Sequence, residues 1–428
     1  MFLARLSIRN YKSLREISFS PSPITALVGP NAAGKSNIGL AVNFLSEVYN
    51  LGLELAVSRN GGYENIAFRK LRRSKAPIEF EVVFEIDGGD RRLNTFLLRQ
   101  SLRKYKIKFT HKFSFVAKGT GIKAAFNVHE EIFSAEALPK ESDEKNGHHN
   151  LVKLIRKDNK YKIEADENAL RSGQPVLFKQ GVRELSSITG EQELLTSRST
   201  PTGILPLARD FAAILSQFRT YQISTTQSRD GGFPSPNPVL TSSGENLPAL
   251  ADWVKKKYPA EWETVMSAMK DILPNLKEIS VEYLSNKALG LFFSEEGFGR
   301  PWRSDEVSDG TILSLAALLA SVDPRSSLIF IDEPENSVHS WILRVLVNRF
   351  REVSKQKNVI LTSHSPVLIN MLTPEEIWIV FRTNGETQLR RLIDFDQSIS
   401  ESWKSGNYQI SELLDSGAVS QAVPGGVF

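Results

Sequence analysis

Near the amino terminus, Gly29-Pro30-Asn31-Ala32-Ala33-Gly34-Lys35-Ser36 fills the pattern G-x-x-x-x-G-K-[ST] without a mismatch. The apolar run Ile24-Thr25-Ala26-Leu27-Val28 precedes it. A helical pattern with Ile38, Ala41, Val42, Leu45 and Val48 on one side follows. Strand, loop and helix in that order are the context in which the pattern makes a phosphate-binding loop. A β- or γ-phosphate is dense negative charge. Consecutive backbone N–H groups at a helix start can surround it, provided glycine lets the chain curl. The expected cradle comprises Gly29, Asn31, Ala32, Ala33, Gly34, Lys35, Ser36 and Asn37. Lys35 would reach the β- and γ-phosphates, and the Ser36 hydroxyl would ligate Mg²⁺. A plain glycine turn before a helix is the competing reading, which the flanking elements disfavour.

A second block lies far along the chain. Leu328-Ile329-Phe330-Ile331-Asp332-Glu333-Pro334-Glu335 is an apolar strand that ends in carboxylates. In open α/β sheets, ligands bind beyond the carboxyl ends of such strands. Asp332 would then hold Mg²⁺ through water, and Glu333 would orient or deprotonate an attacking water. A strand running into a solvated turn is the alternative, weakened by the phosphate loop. Upstream, Val307-Ser308-Asp309-Gly310-Thr311 opens an apolar helix over 312–322, where Ser308 and Gly310 form another anion site. Downstream, Val359-Ile360-Leu361-Thr362 reads as a buried strand leading into Ser363-His364-Ser365-Pro366, which places His364 for a phosphate contact.

These motifs, in this order, resemble the ATP-binding-cassette ATPases, and most closely their SMC/RecF/OLD branch. Ile8-Arg9-Asn10-Tyr11-Lys12-Ser13-Leu14, Ser243-Gly244-Glu245-Asn246-Leu247 and Pro374-Glu375-Glu376-Ile377-Trp378 carry the same resemblance. It covers both ends and part of the middle, and is weakest across 90–220. It implies an α/β fold: a P-loop NTPase head of ABC type with a parallel core sheet, a flanking antiparallel sheet and an inserted β/helical lobe. The expected boundaries are 1–86 for the first part of the head, 87–240 for the lobe and 241–428 for the rest. The resemblance makes Ser308 and Gly310 the signature motif, which caps the γ-phosphate of ATP held by a second subunit. Val307-Ser308-Asp309-Gly310 departs from the usual Leu-Ser-Gly-Gly at two places. Residues 335–339 would be the D-loop and His364 the switch histidine. Lys35, Glu333 and His364 are then the catalytic set, with Ser36 and Asp332 on the metal. Gln217 and Gln222 both remain candidates for the Q-loop glutamine.

The phosphate loop and the signature are separated by more than half of the chain, so the middle is expected to be an insertion. Long coiled coils, a cysteine zinc hook and a C-terminal TOPRIM nuclease, seen in relatives of this branch, have no counterpart. No heptad pattern is sustained, there are no cysteines, and the chain beyond Phe381 is too short for the nuclease domain. Asp394-Phe395-Asp396 is read as a surface turn. The absence of cysteine also excludes disulfides, thiol catalysis and iron–sulfur clusters. No signal peptide or membrane span is evident, so a cytoplasmic protein without membrane contact is expected.

Within the middle, strands are expected over 78–86 and 105–116, a mobile polar tip over 139–150, a long loop over 224–246, and helices over 247–257 and 259–273. The net charge is only +4, so charge must cluster to matter. Residues 91–123 hold ten Lys or Arg and no Asp or Glu. Lys104, Lys106 and Lys108 alternate there with Tyr105, Ile107 and Phe109. Arg69, Lys70, Arg72, Arg73 and Lys75 form a second cluster. Such clusters could neutralise the phosphates of DNA or RNA. A solvated strand face fits slightly better, because base-stacking aromatics are not evidently exposed; an acidic partner protein also fits.

Two functions follow from the resemblance. In one, the protein is the ATPase of an anti-phage system: a homodimer or higher even-numbered oligomer that uses ATP and Mg²⁺ to control an effector, a nuclease, from a neighbouring gene. In the other it is a RecF-like DNA-binding ATPase of repair or recombination. A GTP-binding switch is disfavoured, since Asn286-Lys287-Ala288-Leu289 lacks the base-reading aspartate.

Overall fold

The computed structural model describes residues 1–68, 76–93, 102–119, 125–140, 147–157, 160–165, 191–196, 206–396, 398–406 and 409–415. Its strands, in chain order, are β1 (Phe2–Tyr11), β2 (Leu14–Phe19), β3 (Ile24–Val28), β4 (Ile78–Asp87), β5 (Tyr105–Ala117), β6 (Phe126–Pro139), β7 (His149–Lys157), β8 (Lys160–Ala165), β9 (Phe218–Tyr221), β10 (Leu276–Tyr283), β11 (Leu289–Glu295), β12 (Trp302–Arg303), β13 (Leu328–Asp332), β14 (Asn358–Ser363), β15 (Ile377–Thr383) and β16 (Glu386–Arg391). Contacts divide the chain into two units. The first holds Met1–Pro21, Asn37–Phe218 and Phe381–Leu389, and the second Ser22–Ser36, Arg219–Val380 and Arg390–Phe428.

The first unit is built on a seven-stranded sheet, in the order β2-β1-β4-β5-β6-β7-β8, with every neighbouring pair antiparallel. Within it, β4 ends at Asp87 and β5 pairs along β4 from Ile78↔Phe115 to Asp87↔Lys106. Period-two alternation puts one set of side chains into a core rich in rings. Phe44, Phe80, Phe109, Phe113, Phe115 and Phe133 are fully buried, and the Phe44–Phe80 and Phe80–Phe113 rings stack at 5.4 and 5.5 Å. The helix Lys35–Leu51 contributes Phe44 and Tyr49 to this core.

The opposite set of side chains is charged, strand by strand. Lys106 and Lys112 of β5 face Glu85 and Glu79 of β4, the latter pair at 3.3 Å. On the other side, Lys108 and Lys112 lie 3.9 and 3.7 Å from Glu136 and Glu130 of β6. Arg5 and Arg9 of β1 reach Glu81 and Glu79 at 2.7 and 3.4 Å. Lys106 and Lys108 therefore belong to a ladder of alternating sign. The cluster over 69–75, residues 94–101 and 120–123 of the other cluster, and 141–146 of the polar tip lie outside the described residues.

The second unit contains a sheet in the order β15-β3-β14-β13-β9. β3, β14 and β13 are parallel neighbours, and β15 runs parallel to β3. All five residues of β3 and all six of β14 are buried, as unbroken apolar runs in a parallel sheet should be. The helix Asp309–Val322 is buried along residues 310–321, in keeping with its lack of a polar face. Helices Leu247–Lys257, Pro259–Ile272 and Ser340–Val353 pack around it. A three-stranded sheet, β10-β11-β12, completes the unit. The loop expected over 224–246 contains one short helix, Thr225–Arg229, capped by Ser224.

Candidate phosphate-binding and hydrolytic site

Parallel strands place the site. β3, β14 and β13 point the same way, so the segments after Val28, Ser363 and Asp332 emerge at one edge of the sheet. The loop after β3 curls through left-handed backbone at Ala32 (φ 63°) and Gly34 (φ 113°). Gly29 must be glycine for a different reason: a Cβ there would lie 1.9 Å from the Val380 carbonyl oxygen of β15. Asn31 and Ala32 are exposed, Ala33 is buried, and the Ala33 N–H donates to the Pro30 carbonyl at 3.2 Å.

Lys35 is buried at 5% exposure. Its ammonium group has three protons and three acceptors: the Gly29 carbonyl at 2.8 Å, the Pro30 carbonyl at 3.2 Å and His364 Nε2 at 2.9 Å. Since an ammonium only donates, Nε2 accepts and the imidazole proton sits on Nδ1. Burial lowers the Lys35 pKa, while Glu333, Asp332 and Glu335 oppose that shift with their negative charge. The cation is thus held without a carboxylate directly on it, available to a stronger anion.

Asp332, the last residue of β13, has one hydroxyl on each oxygen. Ser36 Oγ donates to Oδ2 at 3.1 Å and Thr362 Oγ1 donates to Oδ1. Thr362 Oγ1 also accepts the Glu333 N–H at 3.0 Å. The next residue, Glu333, has φ 49°, an uncommon conformation for a residue with a side chain, and one that recurs at functional sites. Its Oε2 accepts from Asn336 Nδ2 at 3.0 Å and its Oε1 lies 3.4 Å from His364 Nε2. Lys35, Ser36, Asp332, Glu333 and His364 thus meet in one place. Thr362 and Asn336 join them with no individual role expected from the sequence, though Thr362 stands at the visible end of an apolar strand and Asn336 lies in the segment 335–339.

A magnesium site fits this donor set. Mg²⁺ is a hard cation that keeps several waters and takes one or two protein oxygens plus substrate phosphates. Ser36 Oγ and Asp332 Oδ2 are such a pair, already in mutual contact. Among the described residues, no cluster of three or more His, Cys, Asp or Glu forms an all-protein cage.

The remaining expected residues sit apart. Asn37 donates through Nδ2 to Ser13 Oγ at 2.7 Å, within the first unit. Ser308 caps the helix Asp309–Val322, accepting the Thr311 N–H at 3.2 Å. Its side chain is exposed, and no described hydrogen bond joins it to Lys35, Ser36, Asp332, Glu333 or His364. A Cβ on Gly310 would lie 3.0 Å from the Ser337 carbonyl, so the signature start packs tightly on the segment 335–339. Asp309, one of the two departures from the usual signature, pairs with Arg229 at 2.5 Å. Of the two Q-loop candidates, Gln222 directly follows β9, the neighbour of β13, whereas Gln217 precedes that strand. Asp394 pairs with Arg391 at 3.2 Å and Asp396 Oδ1 accepts the Ser398 N–H, the local bonding of a surface turn.

Among solved structures the chain is similar to SMC heads. One is a head in a crystal structure with the C-winged helix domain of ScpA. It is 14% identical, with a TM-score of 0.50 over 91% of this chain and 97% of that chain. Others are the SMC head domain from Thermotoga maritima (13%, TM-score 0.41, 91% and 99% covered) and an Smc head with an extended coiled coil bound to the C-terminal domain of ScpA, from Pyrococcus furiosus (12%, 0.46, 94% and 99%). At such identities the likeness is one of fold, that of the SMC head. None of the curated proteins compared with the chain matches it significantly. Among the described residues, no helix is long and apolar enough to cross a membrane. The profile of one ATPase family spans residues 24–370, from β3 through the phosphate loop, signature, Asp332-Glu333 pair and His364, and on this match the chain belongs to the AAA_21 family, described as "AAA domain, putative AbiEii toxin, Type IV TA system".

Proposed function

We propose that the protein is a Mg²⁺-dependent ATPase that dimerises around ATP and thereby controls a separately encoded effector, a nuclease, in bacterial anti-phage defence. The chemistry rests on one observation: Lys35, Ser36, Asp332, Glu333 and His364 converge at the carboxyl edge of a parallel sheet. In phosphoryl transfer the transition state spreads charge over the γ-phosphoryl oxygens, and catalysis is mostly positioning plus electrostatic compensation. The buried Lys35 ammonium exchanges its carbonyl acceptors for phosphate oxygens. Glu333, held by Asn336 and by its own N–H on Thr362, orients the attacking water and takes its proton. His364 lies between Lys35 and Glu333, where it contacts the γ-phosphate. Mg²⁺, held by Ser36 and through Asp332, neutralises charge on the phosphate oxygens when bound.

That set leaves one side of the phosphate without a donor. Ser308, exposed at a helix start and joined to the set by no hydrogen bond among the described residues, supplies it from a second subunit. The assembly is then a two-fold dimer with two ATP sites, each subunit giving one half-site and receiving the other. The description of the family names a toxin–antitoxin system, and one of the similar SMC heads is bound to the C-winged helix domain of ScpA. Both suit a head that acts through a partner.

A mixing experiment tests the assembly. Lys35→Ala and Ser308→Arg proteins should each be inactive alone. In their heterodimer one site carries both defects and the other neither, so random equal mixing should restore about a quarter of the wild-type sites. Phosphate release that stays at background although heterodimers form would rule out composite sites that fire independently. For the effector, nuclease activity or toxicity should appear only with the product of the adjacent gene. ATP-dependent, salt-sensitive retention of DNA by the protein alone would instead favour the RecF-like reading.

A further inference from the structure

Two residues beyond the catalytic pair candidate Glu333, the chain places a third carboxylate, Glu335, with an unusual set of partners. Its Oε1 accepts the Ser363 hydroxyl at 2.7 Å, the His364 N–H at 2.7 Å and the Ser365 N–H at 3.3 Å. Ser363 Oγ in turn accepts the Ser365 N–H at 3.0 Å. Consecutive backbone N–H groups and a hydroxyl thus close around one carboxylate oxygen, and such charge-assisted bonds are about twice as strong as neutral ones. The second oxygen, Oε2, is buried and has no hydrogen-bond partner among the described residues. Burying it unpaired costs stability, on the order of 1–3 kcal/mol. The bonding is therefore one-sided: the carboxylate is committed to the turn after β14.

That turn carries His364. Its N–H is bound to Glu335, while its Nε2 lies 2.9 Å from Lys35 Nζ and 3.4 Å from Glu333 Oε1. The imidazole itself is exposed, so packing alone does not fix it. We infer that Glu335 is a positioning residue that holds His364 against Lys35 and Glu333. This rests on the ATPase reading above. Glu335 is not a general base, since its accepting oxygen is saturated by three donors from one loop and the other is closed to solvent. Without the carboxylate, the N–H groups of 364 and 365 turn to water and the histidine loses its fixed origin. A displacement of about 1 Å in a catalytic group costs on the order of 100-fold in rate.

The test compares Glu335→Ala, Glu335→Gln, His364→Ala and the double variant Glu335→Ala/His364→Ala, reading steady-state ATP hydrolysis and equilibrium binding of ATP with Mg²⁺. Glu335→Ala should lower kcat about 10- to 100-fold with KM for ATP within about two-fold, the pattern of an interaction used in the transition state rather than in binding. Glu335→Gln keeps an acceptor oxygen and should recover most of the rate. Because Glu335 acts through His364, adding Glu335→Ala to His364→Ala should cost no more than about two-fold further. A double variant whose losses multiply, a Glu335→Ala enzyme at the wild-type rate, or a loss confined to ATP binding would each overturn the positioning role. Those outcomes presuppose an active wild type; wild-type protein that binds ATP but never hydrolyses it would instead overturn the ATPase reading itself.

Discussion

Glu333→Gln should bind ATP with undiminished affinity and hydrolyse it at least about 100-fold more slowly than the wild type, the range expected when a general base is lost. The substitution keeps the side-chain shape and the acceptor for Asn336 Nδ2, and it removes the group that takes a proton from water. It also removes one negative charge near the γ-phosphate, which favours binding. The dimer sandwich should then persist, so gel filtration or sedimentation with ATP and Mg²⁺ should show the variant accumulating as dimer. Lys35→Ala should differ in kind. Lys35 is the buried cation at the loop, and its loss should abolish nucleotide binding, with neither turnover nor ATP-driven association remaining. Phosphate release and ATP binding measured on both variants separate the roles. Normal turnover by Glu333→Gln would take that residue out of the chemistry.

The largest effect on stability is expected in the first unit. Glu131 of β6 is fully buried, and its carboxylate accepts from four groups: the Leu195 N–H at 2.8 Å, the Thr196 N–H at 3.1 Å, Thr196 Oγ1 at 3.0 Å and His111 Nε2 at 3.2 Å. His111 is itself buried and is bonded through Nδ1 to the Tyr49 hydroxyl at 2.5 Å. Burial pushes the Glu131 pKa up, but the hydrogen bond and charge of His111, the Leu195 N–H and the charge of Arg156 outweigh it and hold the group below its usual value. Glu131→Ala leaves these donors without their acceptor. Breaking a buried ionic network at one member costs about 3–5 kcal/mol, readable as a lower denaturant midpoint. The pH dependence has a definite sign. A carboxyl whose pKa is depressed by folding adds stability above its unfolded pKa, about 4.3, and that stability is lost as pH falls through the folded value. Wild-type protein should therefore lose stability below about pH 4.3 more steeply than Glu131→Gln, which has no proton to gain there. Equal slopes would show that Glu131 does not carry this share of the acid response.

What could be read from the chain alone was local. The phosphate loop needs a strand, a curl and a helix within a few residues, and those are short-range properties of Ile24, Gly34 and Ile38 and their neighbours. The apolar runs of β3, β13 and β14 could be recognised as buried parallel strands because burial on both faces removes polar alternation. The 3.6-residue period likewise marked the helices Leu247–Lys257 and Pro259–Ile272. Tertiary structure decided everything that depends on which strand lies beside which. The alternation of Lys104, Lys106 and Lys108 was plain in the sequence. That Lys106 and Lys112 face Glu85 and Glu79 follows from the β4–β5 register, in which Glu85 lies opposite Lys108 and Glu81 opposite Lys112. Thr362 bridging Asp332 to the Glu333 backbone, Glu335 binding the turn of His364, and Glu131 joining His111 to Leu195 and Thr196 are likewise contacts between distant stretches. A motif records which groups a chain owns near one another in sequence. Hydrogen bonds across a sheet are set by register and burial, which no local pattern encodes, and so the chemistry could be anticipated while the residues that hold it in place could not.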